Sequence, residues 1–525
     1  MREMPEPKRA PRAIPVEPAE ARPAPAPIAP RPSRWIVPDL GGLLALGAAL
    51  AIARSLPRSF DLFFHLASGR QILAHGFPAS DPFSPNASGP QFPHEWAFGV
   101  LAELLVRRFG AAGPELLVSA LAAGTLLLLW RALGEAKERG LLAAVAFLLA
   151  AAALGATWVE ERPYHFGMLL FAAALLLAQR WRRGSERAAW ALVPLTALWA
   201  NLHGSWVLGP ALFAATAAGA LIDGPDEAAR RRALRALGIA LLAYLAAGIS
   251  IPGPRIYLYP FEHALLPQNR TILEWKPLAF GEADAGAFGL LAALVAFLGG
   301  RSRRPRLALL LPCVGLALST AAVARQLPFA LLCLAPAAAE LGRDGPPLRL
   351  PGALAGALHA IDHGLVRWSE AARGFALAAV PIAVVGALAL RSPQRLIDRL
   401  GDDYPVAALR KLATLPPGRV LNRWRWGGAV SYLDGTAYPV FIDARNDVFP
   451  LSVHEDYRKL RLLLPGWQEA LARYRPRYLL WSESYGGNPL LEALRCRGGW
   501  REIASDESGL LWERIGAASE GSPPR

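Results

Sequence analysis

Acidic and imidazole side chains are concentrated in one short stretch of the chain, just after the first long apolar run. Asp61 and His65 are four residues apart, about one helical turn, so both can face one pocket. Asp81, His94 and Glu95 follow them. A carboxylate can take a proton from an attacking hydroxyl, and carboxylates with imidazoles can also hold a divalent metal, although no spacing here is diagnostic of one. The stretch therefore predicts a catalytic site with Asp61 and His65 at its centre and leaves a metal open.

Several of these residues also have a purely structural interpretation. Ser59 and Asp61 are ordinary helix N-cap residues at the start of a predicted helix, where the helix dipole also favours an ionised carboxylate. Asp81 precedes Pro82, a pair typical of a turn. Trp96 precedes or opens the next helix and is typical of an interfacial anchor. Capping and turn formation thus remain alternatives to chemistry.

The elements that must position these residues are apolar helices. Hydrophobic residues make up 53% of the 525 and charged residues only 19%, and runs long enough to cross a bilayer recur as far as residue 390. About eleven spans are predicted, at 36–56, 114–134, 140–158, 164–180, 188–202, 204–222, 233–251, 284–300, 305–323, 326–341 and 372–390. Residues 95–109 form either an interfacial helix or part of a span. The fold class is therefore an all-α polytopic membrane protein.

The formal charge of +14 does not indicate nucleic-acid binding, because the Arg residues lie in short loops between predicted spans. By the positive-inside rule, the Arg-rich segments 1–34, 180–187, 230–235, 301–306 and 343–373 face the cytoplasm. The loops 57–94, 157–163, 201–204, 252–284 and 323–326 then lie outside, with everything after residue 391. We expect a multi-pass protein of the cytoplasmic (inner) membrane, surrounded by the lipid bilayer, with its N-terminus in the cytoplasm.

The two ends of the chain differ from the apolar middle, residues 35–390. Residues 1–34 are rich in Pro, Ala and Arg and are predicted to be disordered; no cleavable signal peptide is evident. Residues 391–525 carry charges throughout and predict a small extracytoplasmic α/β domain. In it we expect strands at 438–443 and 477–481, a helix over 453–474 and a hairpin over 500–512. The three Cys residues imply neither a disulfide framework nor a metal site.

The polar residues of the predicted outer loops suit a sugar carried on a polyprenyl phosphate. The leaving phosphate needs cationic, preferably bidentate partners, and the acceptor hydroxyl needs a base, for which Asp61 is the candidate. The candidate phosphate-binding cations are Arg162, Arg325, Arg255 and Lys276. Loop residues are often polar simply because they are exposed to water. Ionisable residues from five loops on one surface nevertheless favour a functional site.

The remaining candidates are assigned to binding of the substrate or acceptor. They are Asp81, His94, Glu95, Asn201, His203, Glu274, Trp275, Asp443 and Arg445. The last two follow the predicted strand at 438–443, and α/β sheets usually bind ligands beyond the carboxyl ends of their strands. An Asp and Arg pair in such a loop is equally often structural.

These motifs resemble those of the GT-C polytopic membrane glycosyltransferases, the group that contains the protein O-mannosyltransferases and the bacterial lipid A aminoarabinose transferase. The similar segments are 61–65 (Asp-Leu-Phe-Phe-His), 78–84, 94–96, 162–163, 199–204, 274–275, 426–428 and 441–447. The resemblance implies transfer of a sugar from a polyprenyl-phosphate donor to a lipid, glycan or protein acceptor outside the membrane. Leu62 stands where the group often has a second acid, which disfavours a metal and leaves Asp61 as the one acid carried over from that pair.

Two other classes of protein share some of these features. A transporter or flippase of lipid-linked or polar solutes also carries ionisable groups, but usually near the bilayer midplane and on repeated, broken helices. A non-catalytic scaffold for envelope assembly would use the C-terminal domain for docking and would tolerate the loss of Asp61. A polysaccharide polymerase or ligase is a neighbouring enzyme class, which usually places its Arg and His residues in a large late loop.

Overall fold

Helices from the apolar part of the chain and from the C-terminal part surround Asp61 in the computed structural model. The structure describes residues 38–53, 59–88, 94–155, 160–279, 281, 283–302, 306–345, 351–372, 380, 383–384, 396, 400, 403–482 and 488–516. The tail at 1–34 and most of the predicted span at 372–390 lie outside these residues.

Helices, most of them apolar, make up most of the described residues between 38 and 372. They are α1 (Leu40–Ala53), α2 (Asp61–His75), α3 (Trp96–Phe109), α4 (Ala112–Ala132), α5 (Leu141–Gly155), α6 (Tyr164–Arg182), α7 (Glu186–Trp199), α8 (Leu208–Asp223), α9 (Glu227–Ala246), α10 (Tyr259–Leu265), α11 (Ala283–Gly300), α12 (Leu307–Ala322), α13 (Leu327–Asp344) and α14 (Gly352–Ala371). Helix α14 occupies most of a segment predicted as a loop, where Asp362 accepts a hydrogen bond from the backbone amide of Leu141.

Ten of the eleven predicted spans overlap one of these helices. By length and composition, however, two helices among the described residues can cross a membrane, namely Ala112–Ala132 and Gly204–Asp223. The expected helices are therefore present, whereas a count of about eleven spans is not confirmed. Fully buried tryptophans, including Trp130, Trp181 and Trp199, fill the space between helices rich in alanine and leucine.

Helices α2 and α3 cross so closely that their backbones touch. A Cβ atom added at Gly69 would lie 2.1 Å from the carbonyl oxygen of Gly99, so a larger residue cannot be placed there without separating the helices. Leu62 and Phe63 on the other side of α2 pack with Leu409 and Val430 of the C-terminal part in one apolar cluster. The helix that begins at Asp61 is thereby held between the apolar helices and the C-terminal domain.

The C-terminal part contains a four-stranded sheet with helices around it. Its elements are α15 (Val406–Leu412), β1 (Val420–Asn422), α16 (Gly427–Asp434), α17 (Leu451–Leu462), α18 (Trp467–Tyr474), β2 (Tyr478–Trp481), α19 (Pro489–Arg497), β3 (Trp500–Ser505) and β4 (Leu510–Arg514). The strand order is β1-β2-β4-β3. Strand β1 is parallel to β2, with Val420 opposite Tyr478, while β4 is antiparallel to both β2 and β3.

Several predictions for this domain need correction. The strand at 477–481 and the hairpin over 500–512 are confirmed. The helix expected over 453–474 is two helices, because Leu463 and Gly466 adopt positive φ values of 49° and 87°. The strand expected at 438–443 is reduced to one bridge between Val440 and Val420, and β1 itself was not predicted. A three-residue strand has too short a pattern to be recognised by alternation.

Candidate functional site

Asp61 is the first residue of α2, and its carboxylate faces Arg162. The distance from Asp61 Oδ2 to Arg162 Nε is 3.1 Å. The N-cap position of the helix is Phe60, which makes no side-chain capping bond, while the Ser59 hydroxyl accepts a hydrogen bond from the Asp61 amide. Burial raises the pKa of Asp61, and the Arg162 charge offsets part of that increase. The carboxylate is therefore placed at an ion pair rather than at a cap.

Arg162 also belongs to a network of charged side chains from three loops. Its Nε lies 2.6 Å from Glu160, and its Nη1 lies 3.4 Å from Oε2 of Glu274. The other oxygen of Glu274 accepts a hydrogen bond from Arg325, whose guanidinium also lies over the Trp275 ring at 5.4 Å from the centroid. Glu274 thus holds two of the three predicted phosphate-binding arginines, Arg162 and Arg325, side by side.

A second group centres on Glu95. His65 and His94 reach its carboxylate through Nε2 atoms at 3.6 Å, and so does His203. Burial lowers the pKa of His65 to about 4. Burial alone would raise the pKa of Glu95, but interaction with His94, and then with His203 and His65, lowers it below its ordinary value. At pH 7 the group therefore contains an ionised carboxylate beside a neutral His65.

The Glu95 group contains the residue types that a divalent cation prefers. Within the described part of the chain, however, no set of three or more His, Cys, Asp or Glu side chains has an arrangement that holds a metal ion. The divalent metal that the sequence left open is therefore not assigned to this group.

Two tyrosines that were not among the predicted site residues connect these groups. The Tyr164 ring packs edge-on against His203 with centroids 5.8 Å apart, and its hydroxyl donates to the Arg325 carbonyl at 3.5 Å. The Tyr259 ring lies over His94 with centroids 4.1 Å apart, and its hydroxyl donates to Asp447 at 3.2 Å. For both Tyr164 and Tyr259, the sequence indicates only that an aromatic residue lies next to a predicted loop.

Asn201 and Trp96, from the third loop and the start of α3, bind each other. The Trp96 indole donates to Asn201 Oδ1 at 2.8 Å, and the Asn201 amide donates to the Ala197 carbonyl at 2.9 Å. These bonds fix the start of α3 next to Glu95. Arg255 and Lys276 are exposed residues of the fourth loop, and their predicted contact with phosphate stays a prediction.

Asp81 and the late motif at 441–447 meet in a buried ion cluster. Arg445 binds Asp443 through two nitrogens, with Nη2 2.6 Å and Nε 3.1 Å from Oδ2, and also donates to Asp81. All three side chains are at most 7% exposed. Asp81 Oδ1 also accepts from the amides of Phe83 and Ser84, as its turn prediction implied. These contacts favour a docking role, and substrate binding by these residues stays a prediction.

Hydrogen bonds to the backbone at residues 440–441 join the same loop to the C-terminal part. The Val440 amide donates to the Phe83 carbonyl at 2.9 Å, and the Ser84 hydroxyl donates to the Val440 carbonyl at 2.7 Å. Asn86 donates to the Phe441 carbonyl at 2.9 Å. The end of the first loop therefore pairs with the C-terminal domain.

No protein-family model matches the chain, and no curated protein matches it. Among solved structures, ArnT from Cupriavidus metallidurans in the apo state matches with a TM-score of 0.51 and 14% identity over 91% of this chain and 98% of that chain. The same protein bound to undecaprenyl phosphate matches with a TM-score of 0.50 and 13% identity over the same shares.

A weaker likeness links the chain to the oligosaccharyltransferase of Archaeoglobus fulgidus in the apo form, with a TM-score of 0.43 and 12% identity over 91% of this chain and 74% of that chain. At these identities a structural match reports the fold, and the match to ArnT extends over nearly all of both chains. The chain therefore has the fold of the GT-C-like membrane glycosyltransferases.

Proposed function

We propose that the chain transfers a sugar from a polyprenyl-phosphate donor to an acceptor hydroxyl outside the cytoplasmic membrane. The observation that carries this proposal is the pairing of the partly buried Asp61 with Arg162, next to a second arginine, Arg325, that Glu274 holds in place. A basic carboxylate and two cations are what attack by a hydroxyl and departure of a phosphate require. The likeness in fold to ArnT, solved with undecaprenyl phosphate, supports a lipid-linked donor.

In the proposed reaction the acceptor oxygen attacks the anomeric carbon of the donor sugar. Asp61 takes the hydroxyl proton as the new glycosidic bond forms, and the bond from the anomeric carbon to the phosphate oxygen breaks. The polyprenyl phosphate leaves with the electron pair of that bond, and Arg162 and Arg325 bind its negative charge. Asp61 is suited to the role because burial raises its pKa, which makes its ionised form a stronger base.

The direct test uses the full-length protein in vesicles with a set of polyprenyl-phosphate sugars and extracted envelope lipids, glycans and proteins as acceptors. We expect release of free polyprenyl phosphate together with a glycosylated acceptor. Cells that lack the protein should accumulate the lipid-linked sugar that is its donor. Protein-driven movement of the lipid-linked sugar across the vesicle membrane without transfer would instead identify a flippase and overturn the proposal.

Replacement of either arginine should weaken donor binding. We expect Arg162→Ala and Arg325→Ala each to raise KM for the donor by about tenfold or more, because a charge-assisted hydrogen bond contributes about 1.5–3 kcal/mol. The measurement is the initial rate as a function of donor concentration. Arg306→Ala is the control, since Arg306 pairs with Asp344 on the predicted cytoplasmic side. An unchanged KM in both variants would remove the phosphate-binding role.

The pH dependence of turnover should report Asp61. Its pKa is raised by burial and lowered by Arg162, and the base works only when ionised, so kcat should fall as pH drops through that pKa. Arg162→Gln removes the lowering influence and should move the acidic limb of the kcat profile to higher pH. The profile is measured at saturating donor. A limb at the same pH in both proteins would contradict the assignment of Asp61 as the titrating base.

A further inference from the structure

Helix α10, in the fourth predicted outer loop, has two faces of opposite character. Tyr259 and His263 are one turn apart on the face that turns into the protein, where Tyr259 is buried against His94. Leu258, at the N-cap, Phe261 and Leu265 lie on the opposite face and are 60%, 59% and 74% exposed. Large apolar side chains that are exposed on one face of a helix indicate that this face contacts a membrane or another apolar surface.

The exposed apolar surface of α10 continues from that of the preceding helix. Leu241, Leu242 and Leu245 are exposed along the second half of α9, and Ile249 and Ile251 continue the series towards α10. Helix α9 packs beside α8. We call these residues, with Leu258, Phe261 and Leu265, the apolar strip; they follow one another along the chain from α9 to the loop that carries Tyr259.

The surroundings of α8 identify what covers this strip. The segment Gly204–Asp223, which includes α8, is one of the two described helices long and apolar enough to cross a membrane. Fewer than half of the residues in its most apolar stretch are buried within the protein. Because water is a poor solvent for such a surface, its remaining apolar side chains require hydrocarbon around them. The first part of the apolar strip lies on α9, which packs beside α8.

We propose that α10 lies in the interface of the lipid bilayer, with Leu258, Phe261 and Leu265 inserted among the lipids. The helix then connects the bilayer surface to the site, because its other face packs on His94 and is bound to the C-terminal domain through the Tyr259 hydroxyl and Asp447. The insertion itself does not depend on the proposed sugar transfer. Its effect on donor use does depend on it.

The depth of α10 can be measured with a nitroxide label. Phe261→Cys and Leu265→Cys are made in a Cys496→Ser background, since Cys496 is exposed while Cys313 and Cys333 are buried. The full-length protein is reconstituted in vesicles of phosphatidylethanolamine and phosphatidylglycerol. Collisions of the label with oxygen, which partitions into lipid, are compared with collisions with a water-soluble nickel chelate. We expect both labels to collide more with oxygen than with the chelate.

The matched control is Leu462→Cys on α17, where the leucine is 52% exposed on the C-terminal domain. Its label should collide more with the nickel chelate. If the labels at 261 and 265 behaved like the label at 462, the helix would be in water and the proposal would be overturned. Labels shielded from both reagents would indicate a protein partner, such as a second copy of the chain, and would overturn it as well.

A second measurement tests the link to the site. The double variant Phe261→Ser and Leu265→Ser should raise KM for a long-chain lipid donor several-fold in vesicles and change kcat less. A donor with a short, water-soluble prenyl chain should show little change. Equal loss with both donors would overturn the link while leaving the depth result in place. Absence of transfer in the wild-type protein would overturn the proposed function and would not affect the label measurements.

Discussion

Asp61→Asn should lower the turnover number for sugar transfer by at least about a hundredfold. Asparagine keeps the shape of the side chain but cannot accept the proton of the acceptor hydroxyl, and general-base catalysis typically contributes about 10²–10⁴-fold. The structure adds that the Asp61 side chain is 23% exposed and lies 3.1 Å from Arg162, so water replaces the carboxylate only poorly. The measurement is kcat in vesicles at saturating donor and acceptor.

Asp61→Asn removes both the proposed base and the ion pair with Arg162, and these two effects must be distinguished. Glu160→Gln serves as the matched control, because Glu160 also lies 2.6 Å from Arg162 but is 45% exposed. We expect this variant to keep its turnover within about threefold, as exposed ion pairs contribute about 0–1 kcal/mol. Full turnover in Asp61→Asn would sink the base assignment, and comparable losses in both variants would attribute the effect to Arg162.

Arg445→Met should detach the end of the first loop from the C-terminal domain. It leaves the carboxylates of Asp443 and Asp81 without the guanidinium between them in a buried setting, and breaking a buried ion pair costs about 3–5 kcal/mol. A cost of 3 kcal/mol corresponds to roughly a hundredfold increase in local opening. Hydrogen exchange at the Val440 amide, which donates to the Phe83 carbonyl, should speed up by that factor.

Arg501→Ala is the control for Arg445→Met. Arg501 is 71% exposed and shares Glu513 with Arg477, so its removal should change exchange by less than about fivefold. Arg445→Lys should give an intermediate effect, since an ammonium cannot reproduce the bidentate contact with Asp443. If exchange at Val440 were unchanged in Arg445→Met, the cluster would not be what joins the loop to the domain.

The role of the 441–447 motif shows where prediction from the chain stops. Its Asp and Arg residues follow an apolar run, and their position after a predicted strand predicts ligand binding. In the structure Arg445 lies between Asp443 and Asp81, and Asp81 is more than 350 residues earlier in the chain. A local sequence pattern shows that charged residues are present. It does not show which distant residues they contact in the folded protein.

The predicted arginines illustrate the same limit in another form. Arg162 and Arg325 were chosen as cations suited to phosphate, and the structure brings them together through Glu274, which was assigned to the acceptor. The sequence offered no way to tell a residue that holds the arginines from one that contacts substrate. Tyr164 and Tyr259 were missed for a related reason, because tyrosines near loops are common and only packing distinguishes these two.

The sequence by itself determined the apolar helices, the change of composition before the C-terminal domain, and the helix that begins at Asp61. These depend on hydrophobicity and on spacing within a few residues, which act locally. The tertiary structure decided that Asp61 meets Arg162, that Glu95 meets three imidazoles, and that the first loop pairs with the C-terminal domain. Such contacts result from packing elements far apart in the chain, so no local pattern contains them.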